Sequence, residues 1–140
     1  MVAYSFAPQF VPAVESLVKR QTVRGHRKRH ARPSEPVQLY TAMRTRQCRK
    51  LVDPDPLCIA IDTIAISVAQ TDARLIRSIV LNERLLTDDE IELFAIADGF
   101  GAPTPDGLAR QRMGQFWVKA HADRRREFRF DGVVVRWEPA

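Results

Sequence analysis

From Lys19 to Lys50 the chain carries eleven of its twenty-two Lys and Arg residues against a single acid, Glu35. Such a block demands a fold that presents it on one face with a strong positive potential. The formal charge of +5 hides this asymmetry, because the block holds +10 and the remainder of the chain −5. A polyanion is the natural partner, since each neutralised phosphate releases counterions and guanidinium forks bind phosphate oxygens in pairs. RNA or DNA is therefore the leading ligand class, and a solvated charged loop is the plain alternative.

With 140 residues, one domain spanning 1–140 accounts for the length. The start, M-V-A-Y-S-F-A-P-Q-F, has neither a charged leader nor an unbroken apolar run, and no apolar stretch approaches the ~20 residues of a bilayer span. The reading is a cytoplasmic protein with no membrane partner. Cys48 and Cys58 match neither a C-x-x-C site nor a disulfide scaffold and are read as reduced thiols.

Ala3–Phe6 reads as a first strand, and Pro8 opens a helix to about Val18 with Phe10, Val14, Leu17 and Val18 as its apolar stripe. Lys19 and Arg20 then stand at the negative end of that helix, which gives them an ordinary structural use. Val37–Tyr40 alternates as a strand, and 57–68 is rich in β-branched residues behind the turn Asp53-Pro54-Asp55-Pro56. Residues 72–86 fit helix or strand, and strand is preferred, turning through Asn82-Glu83-Arg84. Thr87 and Glu90 form a capping box for a helix to about Ala97, ended at Asp98-Gly99-Phe100 by a left-handed Gly99. A helix follows over 106–118 with Leu108, Met113 and Trp117. The segment 127–137 then reads as two strands joined by a hairpin turn at Asp131-Gly132. Strands at both ends with helices between imply an α+β fold or a small barrel decorated by helices.

The order of parts, with K-x-x-T-x-R at Lys19, Thr22 and Arg24, A-x-x-D-G-F at 95–100 and the terminal V-V-V-R-W, resembles the ASCH domain family across nearly the whole chain. The insert R-K-R-H-A-R-P and the segment Y-T-A-M-R-T-R-Q-C are similar to its phage and prophage members. The resemblance implies a PUA-like β-barrel. It also implies RNA binding, amidohydrolase action on N4-acetylcytidine, or ribonuclease activity, and fold alone does not choose among these. Carried over from the amidohydrolases, the catalytic set is Lys19, Thr22 and Asp98, in a cleft between the basic block and the helix that ends at Asp98.

The functional groups suit that chemistry. A Thr hydroxyl attacks only when a base takes its proton, and a lysine made neutral by nearby cations and desolvation can be that base. The carboxylate orients the lysine or carries a proton to the leaving amine, and Arg24 holds substrate or developing negative charge. Two departures stand out: Asp98 is one methylene shorter than the Glu of the amidohydrolases, and Ser34 follows Pro33 where relatives have glycine. Thr22 also reads as an ordinary strand residue and Asp98 as a helix-end acid.

For ligand contact the reading selects Arg20, Arg24, Arg27, Lys28, Arg29, His30, Arg32, Tyr40, Arg44 and Arg46. Tyr40 is the preferred stacking surface, while Trp117 and Trp137 are assigned to the core. His26 and His30 stand among cations with no acid or Cys to complete a metal set, so no metal or cofactor is expected. Three readings stay open: an RNA- or nucleoside-binding module, an enzyme built on Lys19, Thr22 and Asp98, and a phage protein acting on a host protein partner.

Overall fold

Val2, Tyr4 and Phe6 alternate with small residues, and this period of two makes Val2–Phe6 a strand, β1, with those three side chains buried. The computed structural model describes residues 2–121 and 125–140. After β1 come a 3₁₀ turn at Pro8–Phe10, α1 (Val11–Glu15), β2 (Gln21–Gly25), β3 (Val37–Thr41), β4 (Arg49–Lys50) and β5 (Leu57–Ala69). The chain continues with β6 (Ile76–Leu81), β7 (Arg84–Leu85), α2 (Asp88–Ala95), a π-helical turn at Ile96–Phe100, α3 (Ala109–Ala120) and β8 (Glu127–Glu138). This is a mixed α+β fold dominated by sheet, and among the described residues no helix is long and apolar enough to cross a membrane.

Two compact units divide the chain: Met1–Ile61 with Val134–Ala140, and Asp62–Val133. In the first, β1 runs parallel to β3 in the register Val2↔Val37, Tyr4↔Leu39 and Phe6↔Thr41, and β4 is antiparallel to β3. Val37 and Leu39 are fully buried. On the other sheet of this unit, the Trp137 N–H of β8 donates to the carbonyl of Arg20 at 3.0 Å.

In the second unit the strand order is β8-β5-β6-β7. Strands β5 and β6 are antiparallel, and β6 turns into β7 through Asn82 and Glu83, both with positive φ, as the preferred strand reading of 72–86 anticipated. The capping box forms as expected: Glu90 N–H donates to Thr87 Oγ1 at 3.2 Å, and Thr87 N–H to Glu90 Oε1 at 3.0 Å. Gly99 takes φ 99°. The amides opening α3, those of Ala109 and Arg110, donate to the carboxylate of Glu92 at 3.1 and 2.7 Å. Arg110 itself is buried, its guanidinium bonded to the carbonyl of Ile76 and to Asp88. Trp117 is buried here and Trp137 in the first unit, as the core assignment required.

Three elements differ from expectation. The first helix stops at Glu15 and not near Val18, because Leu17 adopts φ 61° and the amides of Val18 and Lys19 fold back onto the carbonyl of Ala13. Val18 therefore leaves the apolar stripe and is 71% exposed. The closing hairpin does not exist: 127–138 is one unbroken strand, with Asp131 and Gly132 in its middle. A local Asp-Gly turn signal yields here to ladder pairing, with β5 in the second unit and β2 in the first. The last helix begins at Ala109, after Thr104 and Gly107 close a tight turn with paired backbone hydrogen bonds.

Candidate functional site

Because α1 ends early, the chain turns inward at Lys19, whose side chain is 3% exposed although it opens a basic block. Thr22, three residues further on in β2, is 5% exposed, and Arg24 follows on the same face of the strand. Three cations of the stretch 19–27 lie against aromatic rings. Lys19 Nζ lies 5.0 Å from the Phe10 centroid and 5.9 Å from that of Phe6. Arg24 sits 5.1 Å from Phe6 and 5.4 Å from Tyr4, and Arg27 lies 4.6 Å from Tyr4. Ring faces are electron-rich and attract the cations, most strongly at buried Lys19, where water is scarce.

Arg24 is held further by hydrogen bonds. Its Nε donates to Thr22 Oγ1 at 3.0 Å and its Nη2 to the carbonyl of Ser5 at 2.7 Å. Arg27 Nη2 reaches the carbonyl of Ala3 at 3.4 Å. Strand β1 ends its sheet, and the carbonyl of Phe6, which faces β3, accepts from the Thr41 hydroxyl at 2.9 Å. The carbonyls of Ala3 and Ser5 alternate with it along the strand, so the two guanidinium groups serve the side of β1 that no strand covers.

Beside this strip, Tyr4 and His30 form a second arrangement. The rings stack at 5.9 Å with an interplanar angle of 8°, Tyr4 Oη lies 3.0 Å from His30 Nδ1, and the Ala31 N–H donates to Tyr4 Oη at 3.2 Å. His30 Nε2 lies 2.9 Å from the carbonyl of Gly25 and so carries its proton there. Burial lowers the His30 pKa, the Gly25 carbonyl opposes this, and Arg27, Arg24 and His26 lower it further.

The remaining cations sort by partner. Arg29 pairs with Glu35, whose carboxyl is lowered first by the Arg32 N–H and also by Arg29. Arg49 pairs with Glu15 at 2.8 Å and Lys50 with Asp55 at 2.7 Å. Arg20 is exposed and donates to the carbonyl of Leu17 at 2.7 Å, in the turn that follows α1 and not at the end of the longer helix expected. Lys28, Arg32, Arg44 and Arg46 are exposed and make no ion pair among the described residues. They lie in two loops, the first following β2 and the second following β3. Tyr40 is half-buried in β3, registered between Ser5 and Lys50.

Lys19 and Thr22 belong to the first unit and Asp98 to the second, where it is 5% exposed in the π-helical turn before Gly99. Among the described residues no group of three or more His, Cys, Asp or Glu could hold a metal ion. Both thiols are free: Cys48 is exposed, and burial raises the Cys58 thiol pKa. Ser34 adopts φ 74°, the conformation a glycine would take without strain.

The sequence reading missed Tyr4 and Phe6. The signal was present in β1, where alternation turns both rings inward, but nothing local ties them to Lys19, Arg24 and Arg27. Compared with family models, curated proteins and solved structures, the chain matches none.

Proposed function

We propose that the chain is an ASCH-type protein, with the PUA-like barrel of that family, acting in the cytoplasm by binding RNA or a nucleoside-bearing ligand. The observation that carries the reading is the partition of the basic block. Cations near acids or at the uncovered side of β1 are engaged internally, whereas Lys28, Arg32, Arg44 and Arg46 are exposed and pair with no acid among the described residues. Exposed, uncompensated guanidinium and ammonium groups in neighbouring loops favour phosphate contact over a merely solvated surface. The test is titration of the protein with a single-stranded RNA and an RNA duplex over a range of salt. Binding that weakens steeply with salt supports the reading. No binding at low salt overturns it and favours a host protein as partner.

A second reading, deacetylation of N4-acetylcytidine or RNA cleavage with Lys19, Thr22 and Asp98 as the reacting set, draws support from their burial. Lys19, Thr22 and Asp98 are each at 5% exposure or less, and buried titratable groups concentrate at functional sites. Incubation with N4-acetylcytidine, followed by chromatography, tests it directly. Turnover by the parent chain that is lost in Lys19→Ala and Asp98→Asn would support an amidohydrolase. A folded parent chain that releases no acetate would remove that activity.

A further inference from the structure

The two ends of the loop that follows β2 are joined by a chain of hydrogen bonds through two side chains, beside the Arg27 bonds to the carbonyls of Ala3 and Arg29. His30 Nε2–H donates to the carbonyl of Gly25 at the end of β2, His30 Nδ1 faces the Tyr4 hydroxyl, and that hydroxyl accepts the Ala31 N–H. The directions are fixed by chemistry. Nε2 must carry the proton to meet a carbonyl, so Nδ1 is the acceptor and Tyr4 the donor. The Tyr4 ring is 1% exposed and Ala31 2% exposed, so this closure is anchored in the interior at one end. Lys28 stands in the middle of the loop, and Arg32 follows directly after Ala31.

We infer that His30 is a pH-dependent latch, neutral when it closes the loop 25–31 and released from Tyr4 when it takes a second proton. Protonation turns Nδ1 from acceptor to donor. The Tyr4 oxygen then faces two donors, the Ala31 N–H and the new Nδ1–H, and its own proton has no acceptor in the chain of bonds. The imidazolium would also stand among Arg24 and Arg27, the guanidinium groups beside the Tyr4 ring, and His26 on the loop. Every charged group acting on His30 is thus a cation or can become one, and none favours its protonation. The Gly25 carbonyl alone does so.

The direction of linkage follows. The folded state lowers the His30 pKa below 6.5, so its contribution to stability is complete above that value and is lost as pH falls through the lowered one. Release of the loop therefore requires a pH below the ordinary imidazole value.

The test uses the whole chain, free of ligand, labelled with nitrogen-15 and followed by NMR from pH 8 to pH 5. The expected result is a His30 ring protonated at Nε2 near neutrality that titrates below 6.5. The order of amides 26–31, read by heteronuclear relaxation, should drop at the same midpoint. His30→Gln should hold the loop in one state across this range. Tyr4→Phe should leave it mobile even at neutral pH. Amides that stay ordered while His30 titrates would overturn the latch, as would a drop that persists in His30→Gln. The readouts concern the free protein, so their outcome is independent of whether the chain binds RNA.

Discussion

Arg24 donates to the hydroxyl of Thr22 two residues earlier on the same strand, at 3.0 Å, while its other arm holds the carbonyl of Ser5 on β1. One side chain thereby fixes the orientation of a buried hydroxyl and joins two strands. Its place between the rings of Tyr4 and Phe6 leaves it few alternative rotamers.

Replacing Arg24 by Ala removes two charge-assisted hydrogen bonds and two cation–π contacts. The expected loss of stability is about 2 kcal/mol, measured as a lower urea midpoint. Arg24→Lys should recover less than half of it, because an ammonium cannot reach both acceptors as a fork does.

The partition of the basic block makes a prediction about ionic strength. For a single strand the salt exponent is roughly 0.7 per phosphate contacted, so replacing Lys28, Arg32, Arg44 and Arg46 with Ala together should reduce it by about 3. Replacing Arg49 and Lys50, which face Glu15 and Asp55, should change it little. An unchanged exponent in the fourfold variant would take these loops out of the interface.

Acid should weaken the second unit through two carboxylates. Asp72 is held at about 2, first by the Arg74 side chain and then by its N–H, and Glu90 at about 2, first by Arg84 and then by the Thr87 N–H. Both folded values lie below the ordinary 3.8 and 4.5, so the stabilisation is complete above the higher of these and fades as pH falls toward 2. Urea midpoints measured across this window should decline, and Asp72→Asn with Glu90→Gln should flatten the decline.

Ser34 offers a gain. At φ 74° a serine carries left-handed strain of about 1–2 kcal/mol, part of which glycine returns as unfolded-state entropy. Ser34→Gly should raise stability by up to about 1 kcal/mol, visible as a higher melting temperature, and a lower one would refute the strain argument.

Much of the fold was legible where its cause is local. Alternation marked β3, β-branched residues marked β5, the Thr87–Glu90 pair marked the start of α2, and Gly99 lies in the π-helical turn that continues it. Local signals failed where distant strands decide. Asp131-Gly132 would turn in isolation, but each half of β8 has a ladder partner far away in sequence. The first helix was overextended because Leu17 and Val18 keep its apolar period after the backbone has left it. The positions of Lys19, Thr22 and Arg24 were legible as a motif. Which cations of the block are engaged and which are open was not, since that depends on Glu15, Ser5 and Asp55, residues tens of positions apart or without any motif of their own.

The guanidinium groups of Arg24 and Arg27 on the Ser5 and Ala3 carbonyls bear on how copies of this chain meet one another. A strand that ends a sheet with bare carbonyls is a template for a like strand from another molecule. Here the acceptors are already taken, and any chain approaching that side meets two positive charges first. Two cations of the basic block thus cap carbonyls of a strand that ends its sheet, which disfavours addition of a strand from a second copy on that side.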